Sequence, residues 1–241
     1  MLHHTYNAHR TAMPVHSQAL AVFARAPVPG RVKTRLIPLL GAKPAADFHA
    51  ALLADLLWKI DRVSRSFSSY LFATGGTVPR NLMQPHLTLV RQSGADLGAR
   101  LENAFRRLLR RHSGAVILGA DVPLLSPRIL RQALRELRVC DAVMGPSPDG
   151  GYYLIGLRRL APRLFRGIRW GTRFAYHDTR ARLEHAGYVC SILESLPDVD
   201  RPGDLRGLKR LLATDRAARR LAPAAWQFLK TVDVAKARNP A

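Results

Sequence analysis

From residue 20 onward the chain alternates short apolar runs with longer stretches of helical period, and this alternation constrains the fold more than any other feature. Apolar runs at 20–24, 70–73, 87–90, 115–118, 142–144, 152–157 and 188–193 read as strands, each too short for a helix. Between them, 44–63, 98–111, 127–138 and 173–186 read as helices, with Ser126 as an N-cap, and a further helical stretch begins near Pro202. Strands that alternate with helices imply a largely parallel sheet covered on both faces. The expected class is α/β, as a three-layer α/β/α sandwich with residues 19–241 in one domain. Residues 1–18 are polar and aperiodic, hold His3, His4, His9 and His16, and read as a disordered tail.

Composition narrows the function classes. No run approaches the ~18 consecutive apolar residues of a membrane span, and 19–24 is too short for a signal peptide, so a cytoplasmic protein is expected. Cys140 and Cys190 stand far apart with no Cys-x-x-Cys, and read as two buried free thiols. The formal charge of +21 could answer to nucleic acid, an anionic surface or a phosphorylated small molecule. The arginines are scattered, however, as at Arg106, Arg107, Arg110 and Arg111, and no zinc finger, RNP-like pattern or basic-region heptad accompanies them. Nucleic acid is therefore not the expected partner, and a basic, non-catalytic polyanion-binding protein is the reading from another class. Nothing in the sequence sets an oligomeric state.

In open α/β sheets ligands bind beyond the carboxyl ends of the strands, which directs attention to polar residues just after apolar runs. The first strand ends near Ala24 in "ARAPVPGRVKTRL". There Pro27 and Pro29 restrict the backbone, Gly30 lets it turn, and Arg31, Lys33 and Arg35 follow at alternate positions. In an extended loop these three cations would point the same way and suit a di- or triphosphate; the plain alternative is a solvated Pro-rich loop. In "AVILGADVP", Asp121 follows a buried strand and suits a divalent cation bridging to phosphate, or equally the N-cap of a turn. Asp149, Gly150 and Gly151 in "PSPDGGYYLIGL" read as a tight hairpin turn. Asp198, Asp200 and Asp204 in "LPDVDRPGDL" stand at a helix start, where carboxylates ordinarily cap.

Taken in order, "FARAPVPGRVKTRL", "QSGADLGARLENAF", "ILGADVPLL", "GPSPDGGYYLIGL", "LFRGIRWGT" and "LPDVDRPGDL" resemble a bacterial family of GT-A-fold, nucleotide-diphospho-sugar transferase-like proteins. Its members are commonly described as glycosyltransferases, some in connection with arsenosugar biosynthesis. The resemblance implies a transferase in which Ala24, Pro29, Gly30, Arg31, Lys33 and Arg35 lie near the donor phosphates. It places Asp149, Gly150, Gly151 and Trp170 near donor or acceptor. It also implies Lys33 and Asp121 as catalytic residues. The order is similar, more distantly, to molybdopterin and phospholactate guanylyltransferases and to sugar-acid cytidylyltransferases. By that likeness Asp121 and Asp200 occupy positions that hold Mg²⁺ or Mn²⁺. Arg201 and Gly203 depart from the cytidylyltransferase block, which has Thr and Glu there, and Asp121 stands without an Asp-x-Asp. The partners implied are a nucleotide sugar and a small-molecule acceptor, with glycosyl transfer ahead of nucleotidyl transfer from a nucleoside triphosphate, which would release pyrophosphate.

Overall fold

The computed structural model describes residues 18–63 and 67–234, so the tail expected at 1–18 lies, but for Gln18, outside the described residues. Seven strands form one sheet: β1 (Ala19–Arg25), β2 (Ser68–Thr74), β3 (Leu87–Arg91), β4 (Ala115–Gly119), β5 (Ala142–Pro146), β6 (Tyr152–Leu157) and β7 (Cys190–Ile192). Their spatial order is β3-β2-β1-β4-β6-β5-β7, and every pairing is parallel except those of β6, which runs antiparallel to both β4 and β5. The last strand is shorter than the apolar run predicted. Val189 is exposed, and only Cys190 to Ile192 pair with β5, along the sheet's edge.

The central strands are hydrophobic on both faces, and alternate side chains serve opposite layers. Leu20, Val22, Val116 and Leu118 point to one side, where α2 (Ala42–Val63) and α4 (Pro127–Glu136) cover them. Ala19, Ala21, Ala115 and Ile117 point to the other, under α3 (Leu97–Leu109) and α5 (Ala175–His185). Caps are local: Asp96 accepts from Ala99 N at 2.8 Å to start α3, and Ser126 from Ile129 N at 3.3 Å to start α4. Cys140 and Cys190 are free, as expected, but each is only partly buried, and burial raises the Cys190 thiol to about 11.

The C-terminal stretch divides into α6 (Pro202–Thr214), α7 (Arg216–Leu221) and α8 (Pro223–Thr231). These helices pack with the short α1 (Ile37–Leu40) against α2, through Phe48, Leu52, Leu205, Leu212 and Leu229. Two buried charges on α2 hold this arrangement. Asp55 accepts from Ala224 N at 2.8 Å and Ala225 N at 2.9 Å, capping α8 from a different helix. One turn on, Lys59 is 1% exposed and donates to Pro123 O at 2.6 Å, fixing the chain just after β4.

Both groups yield predictions. Asp55→Ala leaves two helix N–H groups unpaired and should cost roughly 2–3 kcal/mol in denaturant unfolding. Burial, opposed by Asp55, lowers the Lys59 ammonium to about 8. Its folded-state value lies below the unfolded one, so the unfolded chain binds more protons in between, and stability contributed by this group rises as pH climbs from about 8 to about 10.5. Melting curves over that range should show this rise in the wild type and not in Lys59→Met; parallel pH profiles would contradict it.

Candidate functional site

At the carboxyl ends of β1 and β4 the loops enclose a buried ammonium. The loop after β1 turns at Gly30 (φ 79), where an added Cβ would meet nothing, so Gly30 serves the turn rather than a close packing contact. Lys33 then takes a left-handed conformation (φ 46, ψ 41) ahead of the 3-10 turn Thr34–Leu36. This conformation is uncommon outside glycine, and it explains a departure from the sequence reading. The loop is not extended, and the three cations do not point the same way. Lys33 is driven inward while Arg31 and Arg35 stay exposed.

The Lys33 side chain is 2% exposed, and its Nζ lies 2.6 Å from Asp121 Oδ1 and 3.0 Å from Asp200 Oδ1. It also donates to Val199 O at 2.8 Å. Arg35 Nη1 closes the set at 3.1 Å from Asp200 Oδ2. Two carboxylates thus face two cations, and the cluster is neutral. Burial works against the charged form of Lys33, but Asp121 and Asp200 together outweigh it and raise its pKa. Asp121 is the mirror case: burial alone would raise its carboxyl, and Lys33, with His49 second, holds it below the ordinary carboxylate value. Neither Asp121 nor Asp200 caps a helix; that task falls to Asp204, which accepts from Arg201 N at 2.7 Å at the start of α6.

His49, on α2, was not singled out by the sequence. A single histidine within an amphipathic pattern gives no signal. Its Nε2 lies 3.0 Å from Arg25 O, a group that can only accept, so Nε2 carries the proton. Nδ1 therefore presents a lone pair; it has no hydrogen-bond partner and lies 3.8 Å from Asp121 Oδ1. Burial, the largest influence, keeps the imidazole below its ordinary pKa.

Two clefts meet at this cluster. The first, about 560 Å³, is lined by Ala24, Arg31, Lys33, His49 and the start of α3, with Arg25 and Arg100 adding positive charge. The second, about 470 Å³, is lined by Arg35, Asp149, Gly151, Tyr152, Tyr153 and Trp170, with Trp170 edge-on to Tyr152 at 6.2 Å. Phe23, Leu97, Asp121 and Asp200 belong to both. Pro29, Gly30 and Gly150 line neither cleft. Asp149, Gly150 and Gly151 form the turn of the β5–β6 hairpin, in which Gly151 N donates to Asp149 Oδ1 at 2.9 Å. Asp198 borders the cluster: burial, reinforced by Asp149 and Asp200, pushes its carboxyl up to about 6.

Comparison with known proteins agrees with this architecture. Residues 64–172 match the sequence model of a family described as "Uncharacterized protein conserved in bacteria (DUF2064)". No curated protein matches the chain in sequence. Among solved structures, the chain is similar to a protein from Desulfovibrio desulfuricans G20 provisionally described as a nucleotide-diphospho-sugar transferase. The two share 28% identity and a TM-score of 0.77, over 90% of this chain and 99% of that one. A cytidylyltransferase from Leptospira borgpetersenii serovar Hardjo-bovis shares 14% identity and a TM-score of 0.54, over 90% of this chain and 95% of the other. A CMP:2-keto-3-deoxy-manno-octonic acid synthetase complexed with CTP shares 16% identity and a TM-score of 0.52, over 82% and 99%. The fold is thus similar to that of the nucleotide-diphospho-sugar transferases, and the likeness drawn from the sequence blocks holds. No helix among the described residues is long and apolar enough to cross a membrane.

Gly150 offers a test of how the second cleft is built. It has φ 86, and a Cβ there would collide with Arg173 O, a backbone atom that cannot swivel away. Gly150→Ala should therefore cost at least ~2 kcal/mol in urea unfolding and change the emission of nearby Trp170, because the segment at 170–173 must move.

Proposed function

We propose that the chain transfers a group from a nucleotide-activated donor, with glycosyl transfer from a nucleotide-diphospho-sugar as the reaction. The observation that carries this reading is the meeting of two unlike clefts on one pair of carboxylates, Asp121 and Asp200. The first cleft, with its arginines and Lys33, suits the donor's diphosphate. The second, with an aromatic wall and Asp149, suits a sugar and a small-molecule acceptor. The reacting bond would then lie at the junction. The description of the Desulfovibrio protein supports the donor class.

In this reading an acceptor oxygen attacks the anomeric carbon, the bond from that carbon to the diphosphate oxygen breaks, and its electron pair leaves with the nucleoside diphosphate. Arg31 and Arg100, which line the first cleft, neutralise the charge that develops on the leaving group. Asp149 commits one oxygen to Gly151 N and has the other available for the acceptor's proton.

The implied divalent cation has to be fitted to the residues present. Among the described residues no group of three or more His, Cys, Asp or Glu side chains is gathered to hold a metal as it stands. The donor set is nonetheless suitable: two carboxylates hold one cation, and the unpartnered Nδ1 of His49 lies beside one of them. Asp121 and Asp200 would hold Mg²⁺ or Mn²⁺, whose chemistry there would be to neutralise phosphate oxygens.

Incubation with nucleotide sugars, and separately with nucleoside triphosphates, tests the assignment by its products. Nucleoside diphosphate release is expected; pyrophosphate release would instead establish nucleotidyl transfer. Failure of every nucleotide to raise the melting temperature would remove both. Lys33→Ala and Asp121→Asn should each lower turnover by roughly 10²–10³, and the double variant should lose much less than the product of the two, as for groups acting as a unit.

A further inference from the structure

We propose that the Asp121–Asp200 pair is an exchange site which holds either the Lys33 ammonium or a divalent transition-metal ion, and that His49 Nδ1 is the ligand engaged only in the metal-bound form. The inference deepens the reading above, because the displaced ammonium would turn to the donor phosphates.

Three observations lead to it. First, the position between the carboxylates is already taken. Lys33 Nζ lies within 2.6 Å and 3.0 Å of one oxygen from each, and a third oxygen, Val199 O, is 2.8 Å away. An ammonium with three oxygen neighbours occupies the space a bridging cation would need, so the two cannot be bound together. Second, the side chain is held at a cost in backbone conformation, since Lys33 is left-handed at φ 46. That arrangement persists only while the carboxylates reward it. Third, His49 presents an unpartnered nitrogen on a side chain 7% exposed, aimed at the Asp121 oxygen that the ammonium holds. A buried acceptor facing a carboxylate gains nothing from that neighbour, because both offer lone pairs. A metal ion between them satisfies both at once. The imidazole also sets selectivity: a nitrogen ligand favours an ion such as Mn²⁺ over Mg²⁺, which takes oxygen ligands.

Exchange has a destination for the ammonium. Lys33, Asp121 and Asp200 all line the basic first cleft, so a displaced Lys33 side chain has the proposed diphosphate subsite beside it. Cation entry and phosphate binding then favour one another, since each releases or accepts the same positive group.

Mn²⁺ binding read by the loss of the free-ion EPR signal tests this without any turnover. Where the ammonium holds the site in most molecules, apparent affinity falls by the competent fraction. Lys33→Met should therefore bind Mn²⁺ on the order of tenfold or more tightly than the wild type. Lys33→Gly, which suits the left-handed backbone, should behave alike and guards against a folding defect in the first variant. Adding His49→Phe to Lys33→Met should abolish the preference for Mn²⁺ over Mg²⁺, and adding Asp121→Asn should abolish binding. Equal Mn²⁺ affinity in wild type and both Lys33 variants, or no binding in any of them, would overturn the proposal. A nucleotide thermal-shift series without metal separates the two readings. Nucleotide binding with no competition would leave the transfer reading standing alone, whereas competition with no nucleotide binding would leave only the exchange site.

Discussion

The contact on which the site depends is the ion cluster around Lys33. One ammonium joins three chain segments that are remote in sequence: the loop after β1, the turn after β4 and the approach to α6. A backbone bond from Val199 N to Asp121 O, 3.0 Å long, runs beside it and ties the last two directly. Removing the charge would leave a buried carboxylate oxygen without compensation and free the loop after β1 from the other two segments. The two clefts owe their common wall to this join.

The helices outside the sheet support the same point from behind. Lys59 anchors the chain just after β4 through Pro123 O, and Asp55 fixes the start of α8. Asp121 is held between these supports and Lys33. The α6–α8 layer is thus more than a cover for α2. Through Arg201, Asp204 and the turn before them it determines where Asp200 stands.

The sheet was legible because apolar runs bounded by turns mark strands whatever their partners, and six of the seven strands lie close to their expected bounds. The direction of β6 was also indicated by Asp149-Gly150-Gly151, since so tight a turn demands an antiparallel return. Asp121 could be found from its place after β4. What could not be read was the geometry of charge. Equal spacing of Arg31, Lys33 and Arg35 suggested one shared direction, but a single left-handed residue sends the middle one inward. That choice depends on carboxylates as far as 167 positions away, which no local pattern encodes. His49 was hidden for a similar reason: its role is set by Arg25 O and Asp121, neither of which is near it in sequence.

The antiparallel β6 bears on how the molecule is assembled. β5 precedes β6 in the chain yet lies farther from β4, so the sheet's two halves are joined only through β6. A chain emerging from synthesis has β1 to β4 available before β5, but in the finished sheet β5 pairs with none of them. It must first pair with its own neighbour through a tight turn, a local contact that forms quickly, and the finished hairpin then adds to β4 as a unit. The edge of β4 stays open until Gly150 and Gly151 have been made. The interval in which that apolar edge is exposed is the one in which this chain is most open to pairing with another copy of itself.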